Sequence, residues 1–352
     1  MSQPVAEFDP VIQTRHTFKR LRRNMLGAST SKSAWWRFCC GLCAWSLAAI
    51  AVAQPFPSRP VRFIVPFAPG GGTDLVARRI GQKLTEIWGQ QIIVDNRPSA
   101  GGNSAAETTA RAAPDGYTIF QLNSANAIAV SLYKKLDYDP VKDFAAVTQL
   151  ATVPFILVVH SSVKAKTTQE LIALATAEPG KLNYASSGNG GSSHLVGEMF
   201  RAMSNIDIVH IPYSSGGQAL TSVLSGQTRI MFSTVAVALP HIKAGRVNVL
   251  GITSLNRSAA APNVPTIAES GVPGFDGGSW YGVVVPARTP RPLVSKLHRD
   301  IVQVVQQAEI REWMLSQAME VIGSTPEQFA QFISMEIAKW KRAVEFSGAR
   351  AD

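Results

Sequence analysis

The sequence predicts an α/β fold. From Pro60 onward, short runs rich in β-branched residues alternate with segments whose apolar residues recur at helical spacing. This alternation is typical of mostly parallel sheets with helices on both faces. The first apolar run, 61–65, is followed by three consecutive glycines and then by a helical pattern. The order strand, glycine turn and helix places unpaired backbone N–H groups where they can bind an anion.

The glycine turn at 70–72 is expected to hold a carboxylate rather than a phosphate. A phosphate-binding loop would carry a Lys and then a Ser or Thr directly after its last glycine, whereas Thr73 and Asp74 stand there. Asp74 would repel a polyphosphate. Its other predicted roles are to stabilise the start of the following helix or to attract an amino group of a ligand.

The remaining elements follow in order along the chain. The first helix is predicted to pack through Leu75, Val76, Ile80, Leu84 and Ile87. Strands are predicted at 92–94, 117–122, 155–160, 229–232, 247–253 and 280–285, and a polar loop at 123–126. The segments 181–194 and 209–218 repeat the order strand, Gly/Ser loop and helix. Capping boxes at 167–170 and 325–328 predict two further helices, the second with an apolar stripe of Phe329, Ile333, Ile337, Trp340 and Val344.

The first 53 residues are predicted to be a cleaved leader. An apolar run at 38–52 follows Arg37 and ends in Ala51-Val52-Ala53, the pattern of a signal-peptidase site. The alternatives are an uncleaved anchor and, less favoured, a twin-arginine signal at 22–23. Translation is expected to start near Met25.

The mature chain would be free of thiols and mildly basic. Cys39, Cys40 and Cys43 all lie in the leader, so thiol catalysis and a disulfide are excluded for the rest. The net charge of +10 falls to about +5 without the leader, since 27 Lys and Arg then face 22 Asp and Glu. This excess suits attraction of small anions, and the basic stripe of a nucleic-acid-binding protein is missing.

Six motifs in a fixed order resemble the Bug-type (TctC-like) substrate-binding proteins of tripartite tricarboxylate transporters. They are PFAPGGGTD at 66–74, NRPSAGG at 96–102, PDGYT at 114–118, NYASSG at 183–188, IPY at 211–213 and WYG at 280–282. The resemblance spans residues 57–352. It implies a type II periplasmic-binding-protein (Venus-flytrap) fold, with lobe 1 at 55–157 plus 283–352, lobe 2 at 158–282, and the ligand in the cleft between them.

The resemblance also implies a function. The chain would be a monomeric periplasmic receptor, without cofactor or metal, that binds a small carboxylated organic anion and delivers it to membrane permease subunits. Carried over by position, the ligand-binding candidates are Phe67, Ala68, Gly71, Thr73, Asn123, Ser124, Ser187, Gly188, Asn189, Ser192, His194, Tyr213, Ser214, Gly216, Ser233 and Thr234. The chain departs from the family where Lys-Gly commonly follows the tyrosine of IPY, here Ser214-Ser215, and at Ser233, where an acidic residue is frequent.

Two other functions stay open at this point. A sensing partner of a membrane kinase would need the same cleft. A hydrolase would need a serine such as Ser192 or Ser193 beside His194, but the Gly-x-Ser-x-Gly pattern and an orienting acid are missing. Arg97 is expected to fix its loop or to bind an acid, and Trp280 and Tyr281 to line the cleft or to be buried between lobes.

Overall fold

The structure is a computed structural model that describes residues 56–351. The predicted leader, its cleavage site and the three cysteines lie outside the described residues. The strands are β1 (Val61–Val65), β2 (Ile92–Asn96), β3 (Thr118–Asn123), β4 (Phe144–His160), β5 (Asn183–Ser186), β6 (Val209–Pro212), β7 (Ile230–Thr234), β8 (Val247–Ile252), β9 (Gly278–Pro286) and β10 (Glu320–Val321). The helices are α1 (Gly72–Trp88), α2 (Asn103–Ala110), α3 (Ser124–Leu132), α4 (Thr168–Ala177), α5 (Ser192–Met203), α6 (Gly216–Leu224), α7 (Val235–Lys243), α8 (Arg291–Val305), α9 (Ala308–Ser316) and α10 (Pro326–Ser347).

The strands form two sheets that share β4. The order is β2-β1-β3-β9-β4-β7-β5-β6, and β10 and β8 also pair with β4. Residues 144–154 of β4 pair with β9, and residues 155–160 pair with β7 and β8. The first sheet therefore ends, and the second begins, within one continuous strand at Pro154.

The sheets are mixed rather than mostly parallel. The pairs β1–β2, β1–β3, β5–β6 and β5–β7 are parallel, as the strand–helix–strand order predicts. Strands β4 and β9 run antiparallel to all their neighbours. They carry the chain from one sheet to the other and back, so neither follows the local strand–helix–strand order that makes neighbouring strands parallel.

Apolar faces of the helices cover both sheets. Helix α1 buries Val76, Ile80 and Leu84, whereas Leu75 and Ile87 are 42% and 41% exposed, so its apolar stripe is narrower than predicted. The stripe of α10 is confirmed: Phe329, Ile333, Trp340 and Val344 are buried and Ile337 is partly buried. Its capping box is also present, because Thr325 accepts from the Gln328 N–H and the Gln328 side chain accepts from the Thr325 N–H.

One local prediction was wrong, and another was confirmed only in part. Residues 123–126 are not a loop: Asn123 ends β3 and caps α3, which begins at Ser124. Asn126 Oδ1 accepts the Asn123 N–H at 3.2 Å, and Asn123 Oδ1 accepts the Ala125 N–H at 2.8 Å. At α4 only half of the capping box forms. Thr167 accepts the Glu170 N–H, but the Glu170 carboxylate accepts from Lys166.

The described residues form one unit by their contacts. One cluster of buried apolar side chains continues from Phe120 in the first sheet to Phe232 in the second. The lobe boundaries at 157/158 and 282/283 therefore stay a prediction. In the part of the chain that the structure describes, each helix is too short or too polar to cross a bilayer.

Candidate functional site

A cavity of about 730 Å³ lies where strands of both sheets end. Fourteen of the sixteen predicted site residues line it, and His194 and Tyr213 do not. The fourteen are Phe67, Ala68, Gly71, Thr73, Asn123, Ser124, Ser187, Gly188, Asn189, Ser192, Ser214, Gly216, Ser233 and Thr234. The structure brings these residues together, and their role in binding stays a prediction.

Five helices begin at this cavity. Their N-cap residues are Gly71 for α1, Asn123 for α3, Gly191 for α5, Ser215 for α6 and Thr234 for α7, and all five line the cavity. Each helix start carries partial positive charge from N–H groups that have no partner within the helix. The cavity therefore has a positive potential that comes from the backbone.

Three of these helix starts leave their donors free of a side-chain cap. Asn123 and Ser215 accept N–H groups of their own helices, whereas Gly71, Gly191 and Thr234 make no such bond. The first N–H groups of α1, α5 and α7 therefore remain available to a guest.

The cavity lining contains no charged side chain among the described residues. Its polar groups are hydroxyls, amides and backbone N–H groups, and its apolar wall includes Phe67, Leu132, Tyr133 and Val237. An anion would be held by N–H donors rather than by an arginine or a lysine. An ammonium group would be desolvated here without an acidic partner, which is costly.

Asp74 fixes the shape of the glycine turn. It is 2% exposed, and it accepts hydrogen bonds from the Gly70 N–H at 2.9 Å, from Arg78 Nε at 2.9 Å and from Asn96 Nδ2 at 3.0 Å. Burial acts to raise the pKa of Asp74, but these donors outweigh it and hold the pKa below its ordinary value. The carboxylate is thus directed into the loop and away from the cavity.

The cavity wall formed by β3 and β9 carries a spare donor. Asn123 is 2% exposed, and its Nδ2 has no partner in the described residues, although its Oδ1 is used in the cap of α3. Next to it, the hydroxyls of Ser124 and Ser279 are 2.7 Å apart. Tyr281 pairs with Asn123 across the two strands, and burial raises the pKa of its phenol. An acceptor group on a ligand would satisfy Asn123.

Sequence reasoning missed several residues of this lining. Ser279, Pro98, Tyr133 and Phe155 all line the cavity. Ser279 lies at the start of β9, after a Pro/Gly-rich segment, and nothing in the local pattern marks it. Tyr281, left open between the cleft and the interior, is buried and also contributes to the lining. Trp280 is buried away from the cavity and donates to Glu336 at 2.9 Å.

The two predicted residues outside the lining support it from behind. The His194 Nδ1 accepts the Gly190 N–H at 3.0 Å. The Tyr213 N–H donates to the Ser186 carbonyl at 3.0 Å, and the Tyr213 hydroxyl is buried without a partner among the described residues. Arg97 binds Asp95 at 3.0 Å and Thr108 at 3.3 Å, so it fixes its loop.

A serine and a histidine do meet near the cavity. Ser186 Oγ lies 2.6 Å from His210 Nε2, but Ser186 is fully buried and neither residue lines the cavity. The serines expected beside His194 contribute differently: Ser193 Oγ accepts the Ser187 N–H at 3.1 Å, which fixes the loop. Among the described residues there is also no group of His, Cys, Asp and Glu side chains suited to a metal.

Comparisons with known proteins agree with this geometry. The model of the tripartite tricarboxylate transporter family receptor matches residues 76–348. Protein BugT of Bordetella pertussis is 34% identical over 306 residues, which are 86% of this chain and 94% of BugT.

Two solved structures from Rhodopseudomonas palustris are similar to this chain. Rpa4515 with adipate has a TM-score of 0.77 and 31% sequence identity, and the match covers 84% of this chain and 99% of Rpa4515. MatC with bound malate has a TM-score of 0.73 and 33% identity, covering 82% of this chain and 100% of that one. These similarities confirm the predicted periplasmic-binding-protein fold.

Proposed function

Because this chain belongs to the tripartite tricarboxylate transporter receptor family, we propose that it captures a small carboxylated organic anion and delivers it to the membrane subunits of such a transporter. Capture takes place in the 730 Å³ cavity. The receptor acts in the periplasm after removal of its leader.

The observation that carries this proposal is the convergence of five helix starts on one uncharged cavity. A carboxylate there accepts charge-assisted hydrogen bonds, each contributing about 1.5 to 3 kcal/mol net. The uncapped starts of α1, α5 and α7 supply such donors without a cationic side chain.

The donors come from both sheets, which supports a mechanism of closure. Gly71 follows a strand of the first sheet and Asn123 ends another. Gly191 and Ser215 follow strands of the second sheet, and Thr234 ends one. An anion that bridges the two groups binds the closed form more tightly than the open one. That difference in affinity shifts the population towards the closed form.

The lining also supports a choice among carboxylates. Adipate and malate, found with the two similar structures, are both dicarboxylates without an amino group. The described lining has no acidic side chain for an ammonium group. We therefore expect organic acids to bind more tightly than amino acids of the same length.

A thermal-shift screen of residues 54–352 tests the proposal. The panel contains adipate, malate, succinate, hexanoate, benzoate, aspartate and glutamate. A ligand at 100 times its Kd stabilises the folded state by about 2.7 kcal/mol, which raises the melting temperature by several degrees. Calorimetry then gives the Kd of each acid that responds. Stabilisation by none of the acids, or preference for the two amino acids, would contradict the proposal.

A further inference from the structure

Two histidine rings lie stacked behind the loop 187–191 that lines the cavity. His194 comes from α5 and His210 from β6, and their ring centroids are 3.8 Å apart with an interplanar angle of 15°. The ring of Tyr184 lies next to His210, with centroids 4.9 Å apart. Neither imidazole lines the cavity itself.

His194 is bonded to the loop directly, and His210 is connected to it through Ser186, the last residue of β5. The His194 Nδ1 accepts the Gly190 N–H at 3.0 Å. The His210 Nε2 lies 2.6 Å from Ser186 Oγ, which accepts the Gly188 N–H at 3.2 Å. A ring nitrogen that accepts a hydrogen bond carries no proton, so His194 must be neutral with its proton on Nε2.

The loop needs such support because of its backbone. Gly188 and Gly190, the two residues held by these bonds, have positive φ angles of 132° and 70°. Glycine adopts such angles freely and many others as well, so its backbone does not hold one conformation without contacts. Gly190 also packs against Leu132 of α3 so closely that a Cβ atom would overlap the leucine side chain. The loop is therefore in close contact with α3 at Leu132.

We propose that His194 and His210 are positioning residues of the receptor, which as a neutral stacked pair hold the loop 187–191 with its donors facing the cavity. The predicted effect on ligand affinity rests on the proposed function. The acceptor role of His194 can be tested without any ligand.

The surroundings of the pair keep it neutral. Burial lowers the pKa of both rings to about 4, and the guanidinium of Arg201 contributes at His194. At His210 the other ring lowers the pKa further, whereas the carboxylate of Glu198 acts to raise it. Tyr184, whose ring lies next to His210, donates to Glu198 at 2.6 Å. Near neutral pH the His194 Nδ1 therefore stays unprotonated and can accept the Gly190 N–H, and it loses this role only in acid.

The first measurement uses the unmodified mature chain without ligand. Nitrogen-15 NMR of the imidazoles at pH 7 should show His194 as the neutral tautomer protonated on Nε2, and this form should persist to below pH 5. A charged His194 at pH 7, or one protonated on Nδ1, would overturn the proposal.

The second measurement compares two variants of His194. In His194→Asn the amide oxygen takes the place of Nδ1 and can accept the Gly190 N–H, whereas His194→Leu has similar volume and no acceptor. Hydrogen exchange of the loop should speed up by about tenfold in His194→Leu and stay close to wild type in His194→Asn. Calorimetry with adipate and with malate at pH 7 should show that His194→Leu binds more weakly than wild type and that His194→Asn binds about as tightly as wild type.

The outcomes separate the acceptor from the ring. Equal hydrogen-exchange rates of the loop in wild type and His194→Leu would overturn the proposal. An equal increase of the rate in His194→Leu and His194→Asn would overturn it as well, because the shape of the ring would then matter rather than its acceptor nitrogen. If adipate and malate fail to bind even the wild type, the proposed function loses support, while the tautomer and the exchange rates still decide how the loop is held. Circular dichroism of both variants checks that they fold.

Discussion

Replacing Gly71 with aspartate should abolish most carboxylate binding without harming the fold. Gly71 is the N-cap of α1, with φ −81° and ψ 167°, a conformation open to any residue. The nearest atom to a Cβ there would be the Ala68 carbonyl oxygen at 3.9 Å, so a side chain fits. Aspartate is also a preferred N-cap, so the free energy of unfolding should stay within a few tenths of a kcal/mol or rise slightly.

The effect on binding can be separated into charge and capping by a matched variant. Gly71→Asn caps α1 and fills the same space but carries no charge. Two carboxylates about 4 Å apart repel by about 4 kcal/mol at an effective dielectric constant of 20, and the exposure of Gly71 reduces this to about 2 to 3 kcal/mol. We therefore expect Gly71→Asp to bind about 30 to 150 times more weakly than Gly71→Asn.

Calorimetry with adipate and malate at pH 7 measures this difference. Gly71→Ala, which adds neither charge nor cap, should stay within about threefold of wild type. The difference between the aspartate and asparagine variants should shrink at high salt, because the repulsion is screened. Equal affinities of these two variants would refute the placement of a carboxylate at the start of α1.

Three further predictions concern stability. Asp74→Asn weakens the bond to Arg78 and should lower the free energy of unfolding by about 1 to 3 kcal/mol and also reduce carboxylate affinity, as urea unfolding and calorimetry would show. Gly190→Ala should destabilise by more than about 1 kcal/mol, since it combines a positive φ with overlap against Leu132. The histidine pair should make stability pH-dependent: its folded pKa of about 4 lies below the unfolded value of 6.5, so its contribution is complete above pH 6.5 and is lost as the pH falls to 4. For one ring the loss is about 3 kcal/mol, measured by urea unfolding at pH 7 and pH 4.5.

Each of these three predictions has a control. Asp115→Asn disrupts an exposed pair with Arg59 and should leave stability unchanged within about 0.5 kcal/mol. Gly70→Ala has a φ of 88° with open space around it, so it carries the backbone strain without the overlap. The double variant His194→Asn/His210→Gln should flatten the pH dependence. If a control variant changes stability as much as its test variant does, the physical cause given for that prediction is wrong.

The sequence predicts which loops line the cavity better than it predicts the bounds and directions of the strands. The loops after β1, β5, β6 and β7 are recognisable from glycine, serine and threonine next to an apolar run. The carboxyl ends of parallel strands meet at one edge, so these loops converge. The resemblance to the receptor family selected the fourteen predicted residues that line the cavity. Twelve of them lie in these loops or in the strand and helix ends that flank them, and the other two, Asn123 and Ser124, lie at the end of β3.

Sequence patterns failed where distant partners decide the structure. The predicted strand at 155–160 is only the last part of β4, because its earlier residues include Thr148, Gln149 and Pro154, which do not look like a buried strand. Thr148 and Gln149 are buried because the segment 323–325 covers them: the Gln149 N–H donates to Ser324 Oγ at 2.9 Å. In the same way His194 was expected in the cavity because its stack with His210, sixteen positions later, is not visible in the local pattern.

The shared strand β4 has a consequence for protein engineering. Its seventeen residues cannot be cut at Pro154 without leaving unpaired edges on both remaining fragments. Such edges promote aggregation, so neither fragment should be soluble when expressed alone. A split reporter of organic acids would therefore have to break the chain elsewhere, for example in the exposed turn 244–246 after α7, and keep this strand whole.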